Sequence, residues 1–253
     1  MAQQMEGKVA LVTGGNSGMG QAAAIVFARN GAKVVAAARR IPEGEQTVKM
    51  IADQGGEAIF IRADVAVESD VEAMVNQTVK TYGRLDYAFN NAALGSVGGR
   101  LEDMEEKDFL RTMQVNLVGV WLCLKHELRQ MQRQGYGAIV NNSSIGGLVS
   151  SPIADAAYVS AKHGVIGLTR QAARENAKKG IRVNAVCPAS ILTPMMDNLL
   201  RSTPGAMDKL VENTPLGRMA DPKEVGEVVV WLCSDAASFI TGHALPVEGG
   251  KLA

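Results

Sequence analysis

Cysteine is scarce in this sequence, and its few thiols are far apart. Cys123, Cys187 and Cys233 form no CxxC pair and have no histidine cluster of zinc-ligand spacing near them. The pattern therefore predicts buried, reduced thiols and no metal.

Long apolar runs and an excess of one charge are also lacking. No stretch approaches the roughly 18 uninterrupted apolar residues of a membrane span, and residues 1–7 do not resemble an export signal. The 26 basic and 26 acidic residues balance, and lysine and arginine form no run. These features predict a cytoplasmic protein with neither a membrane nor a nucleic-acid partner.

What is present is an ordinary globular composition, with 47% apolar and 21% charged residues. Short apolar segments, often β-branched, are typical of strands buried on both faces. Six such segments occur, at residues 8–13, 33–38, 57–61, 85–89, 138–142 and 182–187.

Longer segments with helical apolar spacing lie between these strands, at residues 19–30, 43–54, 67–82, 108–131 and 155–179. Pro42 suits a first helical turn, and Gly31, Gly55 and Gly180 follow helices where a left-handed residue is expected. The alternation predicts a single α/β domain over residues 1–253, a doubly wound parallel sheet of about seven strands with helices on both faces. The long stretch at 188–222 is predicted to be an irregular substrate loop.

A glycine-rich turn directly follows the first strand and opens the first helix. Its sequence, residues 13–20, is TGGNSGMG. Glycines let backbone N–H groups approach a pyrophosphate, and the helix N-terminus adds partial positive charge. A turn without a ligand is the alternative, but the order strand, turn, helix favours dinucleotide binding.

A second candidate site lies around Tyr158 and Lys162, which are one helical turn apart and share a face. A nearby cation can lower the pKa of a phenol, so Lys162 is predicted to tune Tyr158 as an acid or base. The spacing alone also occurs in surface pairs. The pair becomes more specific because Ser144 follows the fifth strand and could bind the substrate, with Ser143 as the alternative. The non-functional explanation is a serine-rich turn whose hydroxyls only bind the local backbone.

These motifs together resemble the short-chain dehydrogenase/reductase family over essentially the whole chain. They are TGxxxGxG at the first turn, Asp64-Val65, NNA at residues 90–92, Asn116, SxxG from Ser144 and YxxxK from Tyr158. The resemblance implies a Rossmann-type fold and an NAD(P)-dependent oxidoreductase that interconverts a ketone or aldehyde and an alcohol.

The resemblance also implies the site residues. Asp64 would contact the adenine amino group, and the backbone of Asn90 the adenosine ribose. The implied catalytic set is Asn116, Ser144, Tyr158 and Lys162, with Lys162 also holding the nicotinamide ribose and Asn116 anchoring a water. The implied cofactor contacts are Gly14, Asn16, Ser17, Gly18, Met19, Gly20, Arg39, Arg40, Asp64, Val65, Asn90, Ala92, Tyr158, Lys162, Pro188, Ile191 and Thr193.

The chain departs from the family pattern at Ala93 and Ala189, where glycine is usual. An added Cβ disfavours positive φ, so the sequence does not determine the backbone conformation at these two positions. His126, His163 and His243 lie in no motif and are predicted to be structural or exposed.

The end of the second strand predicts the cofactor. An acid there would bind the ribose hydroxyls and repel a 2′-phosphate, whereas position 38 is Ala and Arg39 and Arg40 follow. We therefore predict NADP(H) over NAD(H), with Arg39 on the 2′-phosphate and Arg40 less securely placed. Arginines that only solvate the turn are the alternative.

Substrate and assembly follow less directly. The 188–222 stretch contains four methionines, which suit an apolar contact surface: Met195, Met196, Met207 and Met219. They predict a preference for apolar ketones or secondary alcohols over free sugars. The alternative is that they only pack the loop against the core. The family resemblance, apolar-faced helices and the segment 244–247 predict a homotetramer. Alternative functions are a 3-oxoacyl-(acyl carrier protein) reductase, for which Arg129 and Arg133 are candidate carrier contacts, and a non-catalytic nucleotide sensor.

Overall fold

A computed structural model of the chain describes residues 5–151, 153–202 and 205–253. Parallel strands form one sheet in the order β3-β2-β1-β4-β5-β6-β7, which confirms the predicted single-domain, doubly wound α/β class. The strands are β1 Val9–Thr13, β2 Lys33–Ala38, β3 Ala58–Arg62, β4 Tyr87–Asn90, β5 Gly137–Asn142, β6 Ile181–Pro188 and β7 Ala244–Val247.

Helices cover both faces of this sheet because successive residues of a strand point to opposite sides. In β1, Leu11 faces a core with α3, α5 and α6, while Ala10 and Val12 face a core with α1, α2 and α9. The helices are α1 Gly18–Arg29, α2 Ile41–Ala52, α3 Glu68–Tyr82, α4 Glu106–Met113, α5 Gly119–Gln134, α6 Ala156–Asn176, α7 Pro194–Ser202, α8 Ala206–Glu212 and α9 Pro222–Cys233.

Helix ends follow the predicted local signals. Pro42 lies in the first turn of α2, and Gly31, Gly55 and Gly180 have φ of 92°, 80° and 74°, which confirms the left-handed positions. None of the helices in the described ranges is both long and apolar enough to cross a membrane.

Two sequence predictions are wrong. Residues 108–131 are not one α-helix, because one π-helical turn, Gln114–Val118, separates α4 from α5. The stretch 188–222 is not irregular, because it contains α7 and α8; its residues 203 and 204 lie outside the described residues.

The order of the strands determines where in the fold the site lies. β1 pairs with β2 on one side and with β4 on the other, so consecutive crossovers run in opposite directions from this point. Ligands of open α/β sheets bind outside the carboxyl ends of the strands where the order reverses. The glycine turn follows β1 at this edge.

Candidate active site

The glycine turn has a backbone that only glycine accommodates without strain. Gly14 and Gly18 have φ of 64° and 54°. A Cβ on Gly14 would come within 2.8 Å of Asn91 Nδ2, and one on Gly20 would collide with the carbonyl oxygen of Gly14. These contacts leave a narrow, bare-backbone cradle at the end of β1.

The helix that starts in this cradle keeps its first N–H groups free. Ser17 precedes α1 but makes no side-chain cap, and the first turn has no acidic residue. Exposed N–H groups at a helix N-terminus bind anions, and an acid there would compete with them. The residues present therefore fit the pyrophosphate of a dinucleotide, and Asn16, Met19 and Gly20 lie in this same segment.

The two arginines after β2 have different partners. Arg39 Nη1 lies 3.8 Å from Asp64 Oδ2. Arg40 lies over the glycine turn, where its Nη2 is 3.4 Å from Ser17 Oγ. With the Asn16 amide oriented oxygen toward the guanidinium, that oxygen accepts bonds of 3.0 and 3.1 Å from Arg40. Arg40 thus contacts the glycine turn and also pairs with Glu43 at 3.1 Å, whereas Arg39 pairs with Asp64. Both arginine side chains are exposed.

Residues after β3 and β4 are fixed at the same edge. Thr13 Oγ1 accepts from the backbone N–H groups of Asn91 and Ala92, at 3.0 and 3.2 Å. Val65 is buried against Gly119. Asn90, at the end of β4, is buried and turns its side-chain amide toward Glu127 in the core.

Tyr158 and Lys162 lie on the first turns of α6, close to the end of β5. Lys162 Nζ lies 5.5 Å from the centre of the Tyr158 ring and donates 2.7 Å to the carbonyl oxygen of Asn142. The Lys162 side chain is buried, and the Asn142 amide donates to Asn91. The end of β5, the turn after β4 and α6 are therefore joined by polar contacts.

The two serines after β5 are distinguished by their partners. Ser143 is buried, and its Oγ donates 2.9 Å to the carbonyl oxygen of Lys162. Ser144 Oγ accepts from Gly146 N at 3.1 Å, and the Ser144 side chain is close enough to the Tyr158 phenol to lower its pKa. Ser143 is used to hold α6 against the sheet, whereas Ser144 keeps a hydroxyl hydrogen for a ligand.

The electrostatics differ from the sequence expectation. Burial raises the pKa of Tyr158, the hydrogen bond with Ser144 lowers it, and the Asp155 carboxylate raises it, with a net rise. Burial also lowers the pKa of Lys162 to about 8. In this protein without ligand, the net direction is opposite to the lowering that a nearby cation would give, because burial is the largest effect on the Tyr158 phenol.

Asn116 lies in the π-helical turn and is completely buried. Its Oδ1 accepts from Leu94 N at 2.7 Å, and its Nδ2 donates to Leu94 O at 2.9 Å. These two bonds tie the loop after β4 to the helix. Such π turns occur often at functional sites because they change the direction of the local backbone.

The segment after β6 borders both the glycine turn and the loop after β4. A Cβ on Gly18 would meet Thr193 Cγ2 at 3.2 Å, so Thr193 borders the glycine turn. Met195 of α7 borders Gly95 in the same way. Pro188 ends β6, and Ile191 is buried beside a bridge to Ala220. The implied nicotinamide segment and the loop after β4 therefore face each other.

Both alanines that replace family glycines keep ordinary backbone. Among the described residues, positive φ occurs only at glycines, so neither Ala93 nor Ala189 is strained in this way.

Asp155 and Glu127 are buried carboxylates that the sequence analysis did not predict. Asp155 accepts hydrogen bonds at the start of α6, and its position before a helix was the available signal. Glu127 lies in a polar run of α5 whose pattern resembles an exposed face, yet it is completely buried. It accepts 2.9 Å from Asn90 Nδ2, which also donates to Asn141. Burial raises the pKa of Glu127 to about 7, although the Asn90 hydrogen bond lowers it.

Replacing Glu127 with Gln should stabilise the protein increasingly as pH rises. The folded pKa of about 7 exceeds the unfolded value of 4.5, so native Glu127 binds the extra proton between these values. Its contribution to stability is complete below pH 4.5 and is lost as pH rises through 7, a change of roughly 3 kcal/mol. Chemical unfolding of wild type and Glu127→Gln at pH 5 and 8 measures it. The control is the exposed Glu72→Gln, and equal pH dependence for both variants would contradict the prediction.

Known proteins share this architecture. The family model described as enoyl-(acyl carrier protein) reductase matches residues 14–251. A 2,5-dichloro-2,5-cyclohexadiene-1,4-diol dehydrogenase of Sphingobium indicum is 42% identical over 97% of both chains. A cyclohexanol dehydrogenase of an Acinetobacter species is 38% identical over 98% of this chain and 96% of its own. The crystal structure of levodione reductase superposes with a TM-score of 0.94 at 34% identity over 98% of both chains.

These similarities extend from the glycine turn to the C-terminal strand and include the segment with Ser144, Tyr158 and Lys162. The chain belongs to the short-chain dehydrogenase/reductase family of NAD(P)-dependent oxidoreductases.

Proposed function

We propose that this protein interconverts a moderately apolar secondary alcohol and its ketone, prefers NADP(H), and uses Tyr158 as the acid and base. The arrangement of Ser144, Tyr158 and Lys162 beside the bare glycine turn carries the proposal. The relatives named for a cyclohexadiene diol and cyclohexanol support a cyclic substrate.

In reduction, Ser144 donates a hydrogen bond to the substrate carbonyl oxygen and polarises it. The hydride for the carbonyl carbon would come from an NAD(P)H held by the glycine turn and Lys162. Tyr158 gives its phenolic proton to the oxygen that becomes the alcohol, and Lys162 stabilises the resulting phenolate. The same residues act in reverse for oxidation, with the phenolate of Tyr158 accepting the alcohol proton. None of these protein-side steps uses a metal.

Lys162 and Asn116 have supporting roles in this proposal. Lys162 is fixed by the carbonyl oxygen of Asn142, with two N–H donors left for the cofactor ribose and a water. Asn116, in the π turn, fixes Leu94 of the loop after β4 through two hydrogen bonds. The cofactor contacts predicted from the sequence, from Gly14 to Thr193, remain part of the proposal.

A carrier-protein substrate fits this surface less well. Arg129 and Arg133 lie toward the end of α5 that leads into the start of β5, at the opposite edge of the sheet from Tyr158. Glu106 instead lines a pocket together with Ala156, the first residue of the Tyr158 helix. The exposed acids Glu102, Asp103 and Glu105 are its neighbours in the sequence. Such acids would repel an acidic carrier.

A substrate panel tests the proposed function. We expect cyclohexanol and cyclohexanone-type compounds to exceed both glucose and a 3-oxoacyl group on its carrier in kcat/KM with NADP(H). Cofactor-dependent absorbance at matched concentrations measures this. Higher activity with glucose than with every apolar ketone would refute the substrate class. Tight NADPH binding without turnover on the whole panel would favour the nucleotide sensor.

Assembly as a homotetramer also stays a proposal. The exposed aromatic side chains Trp121 on α5, Trp231 on α9 and Phe239 before β7 support it, because exposed aromatics are common at subunit contacts. Light scattering that gives a monomer mass at micromolar concentration would contradict it. The cytoplasmic location inferred from the sequence stays a prediction.

A further inference from the structure

Asp155 is an almost completely buried acid, with 2% of its surface exposed, three residues before Tyr158. Its Oδ1 accepts from Tyr158 N at 2.8 Å and so caps α6. Burial opposes its charge, but hydrogen bonds from Ser96 and from the backbone of Tyr158, Val97 and Gly98 outweigh burial and lower the pKa of Asp155. The carboxylate is therefore ionised at neutral pH.

The second oxygen of this carboxylate binds a different part of the chain. Asp155 Oδ2 accepts from Ser96 Oγ at 2.6 Å, Val97 N at 2.8 Å and Gly98 N at 3.2 Å. Ser96 Oγ in turn accepts from Asp155 N at 2.9 Å. One side chain thus joins the start of the Tyr158 helix to a loop about 60 residues earlier in the sequence.

This loop, residues 94–98, is held at three points. Leu94 exchanges two hydrogen bonds with Asn116, Gly95 lies against Met195 of α7, and Ser96 to Gly98 bind Asp155. The loop therefore lies between the Tyr158 helix and the segment after β6, where a substrate would approach the phenol. A helix cap alone does not require the three contacts to Oδ2.

We propose that Asp155 is a positioning residue, which fixes residues 96–98 against the first turn of the Tyr158 helix and so shapes the substrate wall beside the phenol. The inference rests on the proposed function, because it assigns this loop to that reaction's substrate. Asp155 itself touches no reacting atom.

The carboxylate also influences proton transfer. The charged groups that face Tyr158 are Asp155, which caps its helix, and Lys162, whose Nζ lies 5.5 Å from the ring centre. The neutral Ser144 lies after β5, and Cys187 at the end of β6 acts on Lys162. Asp155 is an anion among them and opposes the phenolate. Neutralising it should make the phenolate easier to form.

Two variants separate the helix cap from the loop contact. Asn is also a good N-cap, so Asp155→Asn keeps the bond to Tyr158 N, but its amide nitrogen cannot accept from Ser96, Val97 and Gly98. Ser96→Ala removes the hydroxyl and leaves the carboxylate. The matched control is Asp221→Asn, since Asp221 caps α9 in a similar way, away from Tyr158.

We expect Asp155→Asn to lower kcat/KM about ten- to a hundredfold, mainly through KM. The rising limb of its pH profile for alcohol oxidation should also move to lower pH. Ser96→Ala should raise KM without this pH shift, and Ser96→Thr should restore KM. Asp221→Asn should change neither. Amide exchange at Val97 and Gly98 should accelerate in Asp155→Asn but not in Asp221→Asn.

Unchanged KM and unchanged amide exchange in folded Asp155→Asn would overturn the inference. If that variant does not fold, wild-type KM in Ser96→Ala overturns it. A wild type inactive on the whole panel defeats the proposed function and the role assigned to the loop in that reaction. In that case, the exchange rates still decide whether Asp155 fixes the loop.

Discussion

Replacement of Tyr158 by Phe is expected to lower kcat by about 10²- to 10⁴-fold, the usual contribution of a positioned acid or base. Phe keeps the aromatic ring at this position of α6 but has no phenolic proton to donate. The backbone of α6, the Asp155 cap and the bond from Lys162 to Asn142 involve no phenol oxygen. NADPH affinity should therefore stay nearly constant.

The measurement pairs steady-state turnover with NADPH titration by fluorescence. Tyr82→Phe is the matched control, because it removes a phenol oxygen that is buried without a hydrogen-bond partner in the described structure, at the end of α3. It should leave kcat unchanged. More than about a tenth of wild-type turnover in Tyr158→Phe would reject Tyr158 as the general acid.

The wild type is expected to prefer NADP(H), and the double change Ala38→Asp with Arg39→Ser is expected to reverse that preference. Asp at the end of β2 would accept hydrogen bonds from the ribose hydroxyls and repel a 2′-phosphate. Each charge-assisted bond from an arginine to the phosphate should contribute about ten- to a hundredfold. The exposed pair of Arg39 with Asp64 is weak enough to be replaced by the phosphate.

Arg40 provides a second measurement for the same prediction. It lies over Asn16 and Ser17, so Arg40→Ser should also weaken NADP(H) selectively. Arg29→Ser, at the far end of α1, is the control for loss of one exposed cation. The ratio of kcat/KM values for the two cofactors is compared in each protein. A wild type that prefers NAD(H) would show that neither arginine faces the ribose phosphate.

The strands were predictable because parallel strands buried on both faces are apolar throughout, as in VALVT of β1. Their ends shift by one or two residues, for example in β4, Tyr87–Asn90, because the hydrogen-bond register is set by neighbouring strands. The π turn at Gln114–Val118 has no apolar period of its own. The short helices α7 and α8 occur where the sequence analysis predicted an irregular loop at 188–222.

The glycine turn and the Ser144, Tyr158 and Lys162 set were predictable from local spacing and from the family resemblance. The role of Asp155 was not, because its partner Ser96 is brought near only by the crossover through α5. The burial of Glu127 also depends on tertiary packing, since this residue of α5 faces Asn90 at the end of β4. The direction of the Tyr158 pKa likewise depends on burial, which spacing does not show.

The order of the strands matters while the chain is being synthesised. β1 can pair with β2 as soon as Lys33–Ala38 has emerged, and β3 then covers the other side of β2. The remaining edge of β1 has no partner until Tyr87–Asn90 is made. An unpaired apolar edge invites pairing with other chains, and N-terminal segments emerge first. Between the completion of β3 and the arrival of β4, the nascent protein therefore exposes an apolar edge of β1 to pairing with other chains.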